Sequence, residues 1–229
     1  MITCLCLLWA HKRSQSSNLD HRLVMDLSGL IMISGFLGAR LTHVVLEEPF
    51  WYLDHPLQIL QIWQGGFVFF GGLITSLATA IYYLSLKNQL SRFWEVADFF
   101  APIISLGHAL GRISCLVAGC CFGKMTNLPW AINSRHPTQI YLSIWEFAIL
   151  ALLLYLSHRR KLITGQLFLA WIFLHCLGRF WTEFLRDDDR GPILFLRFSS
   201  WMGLIGVLLS LIFFWRISSQ KTTKSAFGT

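Results

Sequence analysis

The sequence predicts an all-α fold, a polytopic transmembrane helical bundle with six full spans plus a partial N-terminal helix. Hydrophobic residues make up 55% of the 229 residues and charged residues only 14%, a composition typical of polytopic membrane proteins rather than soluble domains. Six apolar runs each reach roughly 20 residues, the length at which a helix crosses the bilayer core. Ten tryptophans and nineteen phenylalanines agree with this, because aromatic rings favour the membrane interface.

The predicted spans follow one another along a single integral membrane domain, residues 1–229. They cover residues 23–46, 62–86, 93–115, 138–157, 164–182 and 193–215. The opening stretch MITCLCLLWA is too short to cross a bilayer and lacks the n-region and cleavage site of a signal peptide. It is therefore predicted to be the last half of a helix that begins upstream.

Basic residues are distributed unevenly between the two sets of loops. Eleven lysines and arginines lie before the first span, after the second and fourth spans, and in the C-terminal tail, whereas the alternate loops hold four. The positive-inside rule places the richer loops and the C-terminus in the cytoplasm. The net charge of +7 is spread over these short clusters rather than gathered into one patch, so no nucleic-acid partner is predicted.

Four arginines lie within or at the ends of the predicted spans. With this topology all four are near the outer face: Arg40, Arg112, Arg179 and Arg197. A guanidinium fork matches phosphate oxygens bidentately, so one interpretation is a cationic pocket for an anionic lipid head group. The alternative is that each side chain only snorkels to the head-group layer. Arg112 and Arg179 each follow a glycine, which allows a helix or ligand to approach closely.

Polar residues accompany two of these arginines at helical spacing. His108 lies one turn before Arg112, and His175 lies one turn before Arg179. Glu183 and Arg186 follow Arg179 on the same helical face. The alternatives are that Glu183 forms a salt bridge between helix and loop, and that His108 is a hydrogen-bonded packing residue.

Four stretches, in this order and spacing, resemble the prolipoprotein diacylglyceryl transferase family over nearly the whole chain. They read LGARLTHVVLEEPFWYLDHPLQILQIWQGGFVFFGGL, DFFAPIISLGHALGRISCLVAGCCFGK, RHPTQIY and GRFWTEFLR. The resemblance implies an enzyme of the bacterial inner (plasma) membrane that acts at the outer leaflet. It implies transfer of a diacylglyceryl group from phosphatidylglycerol to the lipobox cysteine of a prolipoprotein. The expected partners are therefore phosphatidylglycerol, the lipobox peptide and the lipid bilayer.

The resemblance also assigns residues. Arg112 and Arg179 match the two arginines that engage the head group and reaction centre, and Gly123 matches the last glycine of the signature GRxGNFxNxExxG. Other matches, to an RHPSQLYE-like segment and to late charges, are Arg135, His136, Gln139, Tyr141, Glu183 and Arg186. The predicted catalytic residues are Arg112, Arg179, His108, His175 and Cys120. The predicted phosphatidylglycerol-binding residues are Arg40, Arg112, Gly123, Arg179, Glu183 and Arg186. No cofactor and no metal ligand is assigned.

The sequence departs from the family pattern at several positions. Ser114 replaces a glycine of the signature, Cys115 an asparagine and Cys120 a glutamate. Phe70 stands where many members have a histidine, and His175 where a tyrosine is expected. If the chain is active, deprotonation of the acceptor thiol falls to His108, to His175 or to the leaving phosphate. The alternative is a redirected or inactive member that acts as a lipid-binding or thiol- or metal-handling membrane protein.

Three of the six cysteines are predicted near the outer face: Cys115, Cys120 and Cys121. A disulfide between Cys115 and either of the other two is one interpretation, because that compartment permits disulfides. A reactive thiol supported by Arg112 is another. Metal binding is a third, although C-x4-C-C is not a standard zinc spacing. Packing by small apolar side chains is the fourth, and the sequence leaves all four open.

Overall fold

The structure, a computed structural model, describes residues 2–159, 162–187 and 198–226. All regular structure within these ranges is helical, and only isolated β-bridges occur besides. The α-helices are α1 (Ile2–Ser14), α2 (His21–Thr42), α3 (Pro49–Asp54), α4 (Phe69–Leu86), α5 (Phe93–Val117), α6 (Thr138–Arg159), α7 (Gln166–Glu183) and α8 (Phe198–Ala226). A π-helical turn, His43–Glu47, continues α2, and short 3-10 turns precede α4 and α5.

In the part of the chain that the structure describes, four helical segments are long and apolar enough to cross a membrane. They are His21–Glu47, Leu90–Val117, Thr138–Arg159 and Ser200–Ser219, and a shorter apolar helix covers Gly71–Leu86. The prediction of an all-helical chain with several membrane-spanning segments is therefore confirmed. The count of six spans is not reached among the described residues and stays a prediction, as does the single domain 1–229.

One predicted span begins before its helix, one corresponds to a helix outside the four long apolar segments, and one extends beyond the described residues. The second span was expected to begin at residue 62, but α4 begins at Phe69, because Gly65 and Gly66 have φ of +87° and +74° and interrupt the helix. The fifth predicted span corresponds to α7, which is not among the four long apolar segments. The first residues of the sixth span, with Arg197, lie outside the described residues.

The N-terminal apolar stretch is helical, as expected, but the helix runs past the basic residues to Ser14. The chain divides into two compact units. Leu7–Phe93 forms one, and Met1–Cys6 with Trp94–Thr229 forms the other.

Within the unit Leu7–Phe93, α2 packs closely against α4 through small residues. A Cβ atom at Gly38 would lie 1.9 Å from the Thr75 hydroxyl, and one at Gly72 would lie 2.7 Å from the carbonyl oxygen of Gly35. The Thr75 hydroxyl donates across the interface to the Ser34 carbonyl at 3.0 Å. Small residues of this kind let two membrane helices approach each other and form such hydrogen bonds.

In the larger unit, α5 and α7 lie side by side and run in the same direction. At their beginnings, the Asp98 carboxylate accepts backbone N–H groups of Gly165 (2.6 Å) and Phe168 (2.8 Å) and so caps α7. At their ends, the residues that follow α5 meet the residues that follow α7. There the backbone N–H of Lys124 donates to the Leu185 carbonyl at 2.7 Å. Helix α6 packs beside α7, and the core between these helices contains Ala101, Ile149, Leu153, Leu167 and Trp171.

Candidate functional site

Two histidines and a glutamate from three helices form a buried cluster in the larger unit. Glu146 on α6 is fully buried, and its Oε1 lies 2.5 Å from Nδ1 of His175 on α7 and 3.4 Å from Nδ1 of His108 on α5. The two imidazole rings meet edge to face, with centroids 4.6 Å apart. This His–Glu–His cluster (His108, Glu146 and His175) therefore joins the three helices through one carboxylate.

The second carboxylate oxygen of Glu146 is also engaged. The Ser105 hydroxyl lies 3.0 Å from Oε2 and donates as well to the Glu146 carbonyl at 2.9 Å. The Trp171 ring stacks on His175 with centroids 5.1 Å apart. A carboxylate this deeply buried is costly unless it is paired and hydrogen-bonded, and the cluster supplies these partners. The arrangement can hold a proton and orient an imidazole beside it.

The His–Glu–His cluster lies next to Arg112. Nη2 of Arg112 is 3.5 Å from Nε2 of His108. Because the guanidinium is a donor only, Nε2 acts as the acceptor, which leaves the ring proton on Nδ1, facing Glu146. His108 thus connects the buried carboxylate with the guanidinium.

The two predicted phosphate-binding arginines lie at the same level of two parallel helices. The histidines of the cluster touch each other, and Arg112 and Arg179 each follow one of them by four residues, one helical turn. Because α5 and α7 run in the same direction, Arg112 and Arg179 both follow the cluster by one turn, toward the C-terminal ends of these helices. The equal depth of Arg112 and Arg179 in the bilayer stays a prediction.

Acidic and basic partners continue along α7. Nη2 of Arg179 lies 3.6 Å from Oε2 of Glu183, an i,i+4 ion pair within α7. The alternative of a Glu183 salt bridge between helix and loop stays a prediction. Arg186 is 1% exposed, although it follows the last turn of α7. The site is therefore basic overall, with Glu183 as a buried counter-charge to Arg179.

Gly123 is the point at which three chain segments meet. It donates to the His136 carbonyl at 2.8 Å and forms a bridge with Arg186. A Cβ atom there would lie 2.4 Å from the Leu185 carbonyl oxygen and 2.8 Å from the His136 Cβ. The signature glycine therefore allows the connector between α5 and α6 to pack against the end of α7.

Replacing Gly123 by alanine is expected to destabilise the protein by about 1–3 kcal/mol, because the added methyl overpacks a backbone contact. The measurement is the thermal unfolding temperature in detergent, followed by tryptophan fluorescence. Gly29→Ala in α2 is the matched control, since a Cβ there meets nothing within 4 Å. Equal unfolding temperatures for the two variants would contradict this role of Gly123.

The three cysteines near the end of α5 form a thiol cluster (Cys115, Cys120 and Cys121). Their Sγ atoms all lie within 4.8 Å of one another, and all three are free cysteines. Positive φ angles at Gly119 (+68°) and Cys121 (+66°) turn the chain back so that the three thiols meet. Hydrogen bonds from the Cys115 and Cys120 thiols, with the Arg186 guanidinium, lower the pKa of the Cys121 thiol to about 5.

The remaining predicted residues have distinct surroundings. Arg40 is 5% exposed, and its guanidinium donates to the carbonyls of Gln58 (2.7 Å), Ile59 (3.1 Å) and Gly65 (2.5 Å). These bonds hold the connector before α4, and the substrate-binding role of Arg40 stays a prediction. In the RHPTQIY stretch, Nδ1 of His136 lies 3.4 Å from the Tyr141 hydroxyl.

Glu146 is the residue that the sequence reasoning missed. It is the one acidic residue in its helix, α6, and an ionisable residue inside an apolar span is by itself an indication of function. That signal was available, but the partners of Glu146 were not, since His175 lies 29 positions away along the chain.

The structure is that of a helical membrane protein with a buried His–Glu–His cluster and basic side chains beside it. A family model described as prolipoprotein diacylglyceryl transferase matches residues 1–216. The chain belongs to this family.

Relatives named phosphatidylglycerol–prolipoprotein diacylglyceryl transferase cover most of the chain. The protein of Clostridium tetani is 31% identical, over 93% of this chain and 88% of its own length. That of Trichormus variabilis is 35% identical, over 82% and 72%. A Clostridium perfringens protein, named as a second such transferase, is 31% identical over 97% and 89%. The residues matched by the family model, 1–216, include the whole His–Glu–His cluster and the whole thiol cluster.

Proposed function

We propose that the protein transfers a diacylglyceryl group from phosphatidylglycerol to the lipobox cysteine of prolipoproteins. The observation that carries the proposal is the placement of Arg112 and Arg179 at one level of two parallel helices, each one turn from a histidine of the buried cluster. Family membership and the names of the relatives support the same reaction.

The two arginines bind the phosphate of the lipid in this proposal. The acceptor sulfur attacks the glycerol carbon that carries the phosphate ester, a carbon–sulfur bond forms, and the carbon–oxygen bond breaks. The electron pair leaves with the phosphate, so negative charge develops on an oxygen beside the guanidinium groups. Donors fixed in advance around such an oxygen stabilise the transition state more than the ground state. Glu183 orients Arg179, and Gly123 with Arg186 holds the connector at the site.

The proton of the acceptor thiol passes to the His–Glu–His cluster or to the leaving phosphate. His108 is the first candidate, because its Nε2 faces Arg112 and its other nitrogen faces Glu146. His175, on the same carboxylate, is the second. Glu146 fixes the tautomer of both rings and is a positioning residue. Cys120, the last of the five predicted catalytic residues, belongs to the thiol cluster.

The proposal places the protein in the bacterial inner membrane as a multi-pass protein with six spans and a cytoplasmic C-terminus. The site then opens to the outer leaflet, where phosphatidylglycerol and the lipobox peptide meet. Arg40 is proposed to contribute to lipid binding from its position beside the connector before α4. The positive-inside distribution of lysine and arginine supports this orientation.

Complementation tests the function in cells. A strain depleted of its own diacylglyceryl transferase is given this gene, and maturation of a prolipoprotein is scored by its mobility shift. Rescue by the wild-type chain is expected. Failure to rescue, with the protein confirmed in the membrane, would contradict the proposal and favour a redirected family member.

A further inference from the structure

We infer that the thiol cluster is a zinc site with an open fourth position, and that this position binds the acceptor cysteine as a thiolate. The inference rests on the proposed function and adds the means by which the acceptor sulfur is activated. Its starting point is the geometry of Cys115, Cys120 and Cys121, whose sulfur atoms lie within 4.8 Å of one another.

The spacing of the three sulfurs fits zinc after a small contraction. A tetrahedral zinc ion with Zn–S bonds of about 2.3 Å places its sulfur ligands about 3.8 Å apart. Thiolates are soft ligands that zinc accepts readily. Three protein ligands with one position left for substrate is the pattern of catalytic rather than structural zinc sites. The unusual spacing C-x4-C-C is thus compatible with a zinc site, because the chain turns back between Cys115 and Cys121.

The backbone of the cluster is held by buried side chains from the start of α6. The Thr138 hydroxyl donates to the Cys121 carbonyl at 2.7 Å, and the Gln139 amide donates to the Cys120 carbonyl. Thr138 and Gln139 are each 1% exposed. Cys121 is kept in the left-handed region, which is unfavourable for a residue with a Cβ. Ligands held in this way are organised before a metal arrives.

The charges around the cluster suit an anionic metal–thiolate group. Three thiolates and one Zn²⁺ carry a net charge of −1, and a fourth thiolate makes it −2. Arg186 hydrogen-bonds the Cys121 side chain, and Arg112 precedes Cys115 by one turn on α5. Both guanidinium groups compensate the negative charge of the complex.

The position of the cluster is suitable for the reaction. Arg112 and Cys115 are three residues apart on one helix, a rise of about 4.5 Å. A sulfur bound at the fourth position would therefore lie next to a phosphate bound by Arg112. A coordinating thiol loses its proton outright, and that proton passes to the His–Glu–His cluster or to the leaving phosphate, as in the proposed reaction. The zinc-bound sulfur then attacks the glycerol carbon, as in the proposed reaction, and no oxidant or reductant is needed.

The test uses the full chain in detergent, stripped with a chelator and titrated with Zn²⁺ or Co²⁺. We expect one ion per chain and a thiolate-to-cobalt charge-transfer band in the near ultraviolet. Cys120→Ser, at an exposed position, is expected to weaken Co²⁺ binding at least about tenfold, as are Cys115→Ser and Cys121→Ser. Cys4→Ser, an exposed cysteine outside the cluster, is the control and binds as the wild type. Near-ultraviolet circular dichroism verifies that each variant is folded.

A second step adds a lipobox peptide, or the same peptide with serine for its cysteine, to the cobalt form. Only the cysteine peptide is expected to change the visible cobalt spectrum. A folded wild type without the charge-transfer band contradicts the zinc site, and a spectrum that the cysteine peptide leaves unchanged contradicts acceptor binding. Full transfer by the metal-free wild type contradicts the inference but leaves the proposed function standing. Metal and peptide binding without any transfer contradicts the proposed function itself.

Discussion

Replacing Arg112 or Arg179 by alanine is expected to lower kcat/KM for diacylglyceryl transfer by about 10- to 150-fold. The physical reason is the loss of one charge-assisted hydrogen bond to the phosphate, about 1.5–3 kcal/mol in general. Because charge accumulates on the phosphate as the ester bond breaks, kcat is expected to fall along with kcat/KM. The measurement is the initial rate of thioether formation on a lipobox peptide at varied phosphatidylglycerol concentration.

Lysine variants separate charge from geometry at these positions. Arg112→Lys and Arg179→Lys keep the positive charge but lose the planar fork, so an intermediate loss is expected. Arg22→Ala removes an exposed arginine at the start of α2 and serves as the control for net charge. If both alanine variants keep the full rate in folded protein, the arginines do not bind the reacting phosphate and the mechanism is wrong.

Replacing Glu146 by alanine is expected to cost about 2–5 kcal/mol in the free energy of unfolding. The change leaves two imidazoles and the Ser105 hydroxyl without the carboxylate that they share, in a fully buried position. Thermal unfolding in detergent measures the loss, with Trp171 as a reporter because it stacks on His175. Asp54→Asn, at an exposed carboxylate at the end of α3, is the control.

Glu146→Gln distinguishes positioning from packing. The amide has the shape of the carboxylate, so most of the stability should remain, but it presents an N–H group where the rings need an acceptor. We therefore expect a transfer rate at least about tenfold below that of the wild type, with little change in KM for phosphatidylglycerol. A Glu146→Gln variant with the wild-type rate would limit Glu146 to a structural role.

The helices that could be predicted best are those with uninterrupted apolar runs. The predicted span 138–157 corresponds to α6, Thr138–Arg159, and the span 93–115 to α5, Phe93–Val117. The start of the second span could not be predicted from hydropathy, because apolar residues also occur just before α4. Backbone conformation at Gly65 and Gly66 interrupts the helix there.

For the site, spacing along one helix was predictable and contact between helices was not. The pairs His108 with Arg112 and His175 with Arg179 follow from four-residue spacing alone. That the two histidines share one carboxylate depends on how α5, α6 and α7 pack, which no local pattern contains. The same is true of the thiol cluster, whose closure depends on left-handed turns and on hydrogen bonds from Thr138 and Gln139.

Transfer by the purified protein tests the central claim most directly. The wild-type chain is incubated in detergent with phosphatidylglycerol and a synthetic lipobox peptide, and the products are analysed by mass spectrometry. The account predicts a peptide that carries a diacylglyceryl group through a thioether, with an equal amount of glycerol phosphate, and no product from a peptide with serine for cysteine. Folded protein that binds phosphatidylglycerol but forms no thioether, with or without added Zn²⁺, would contradict it.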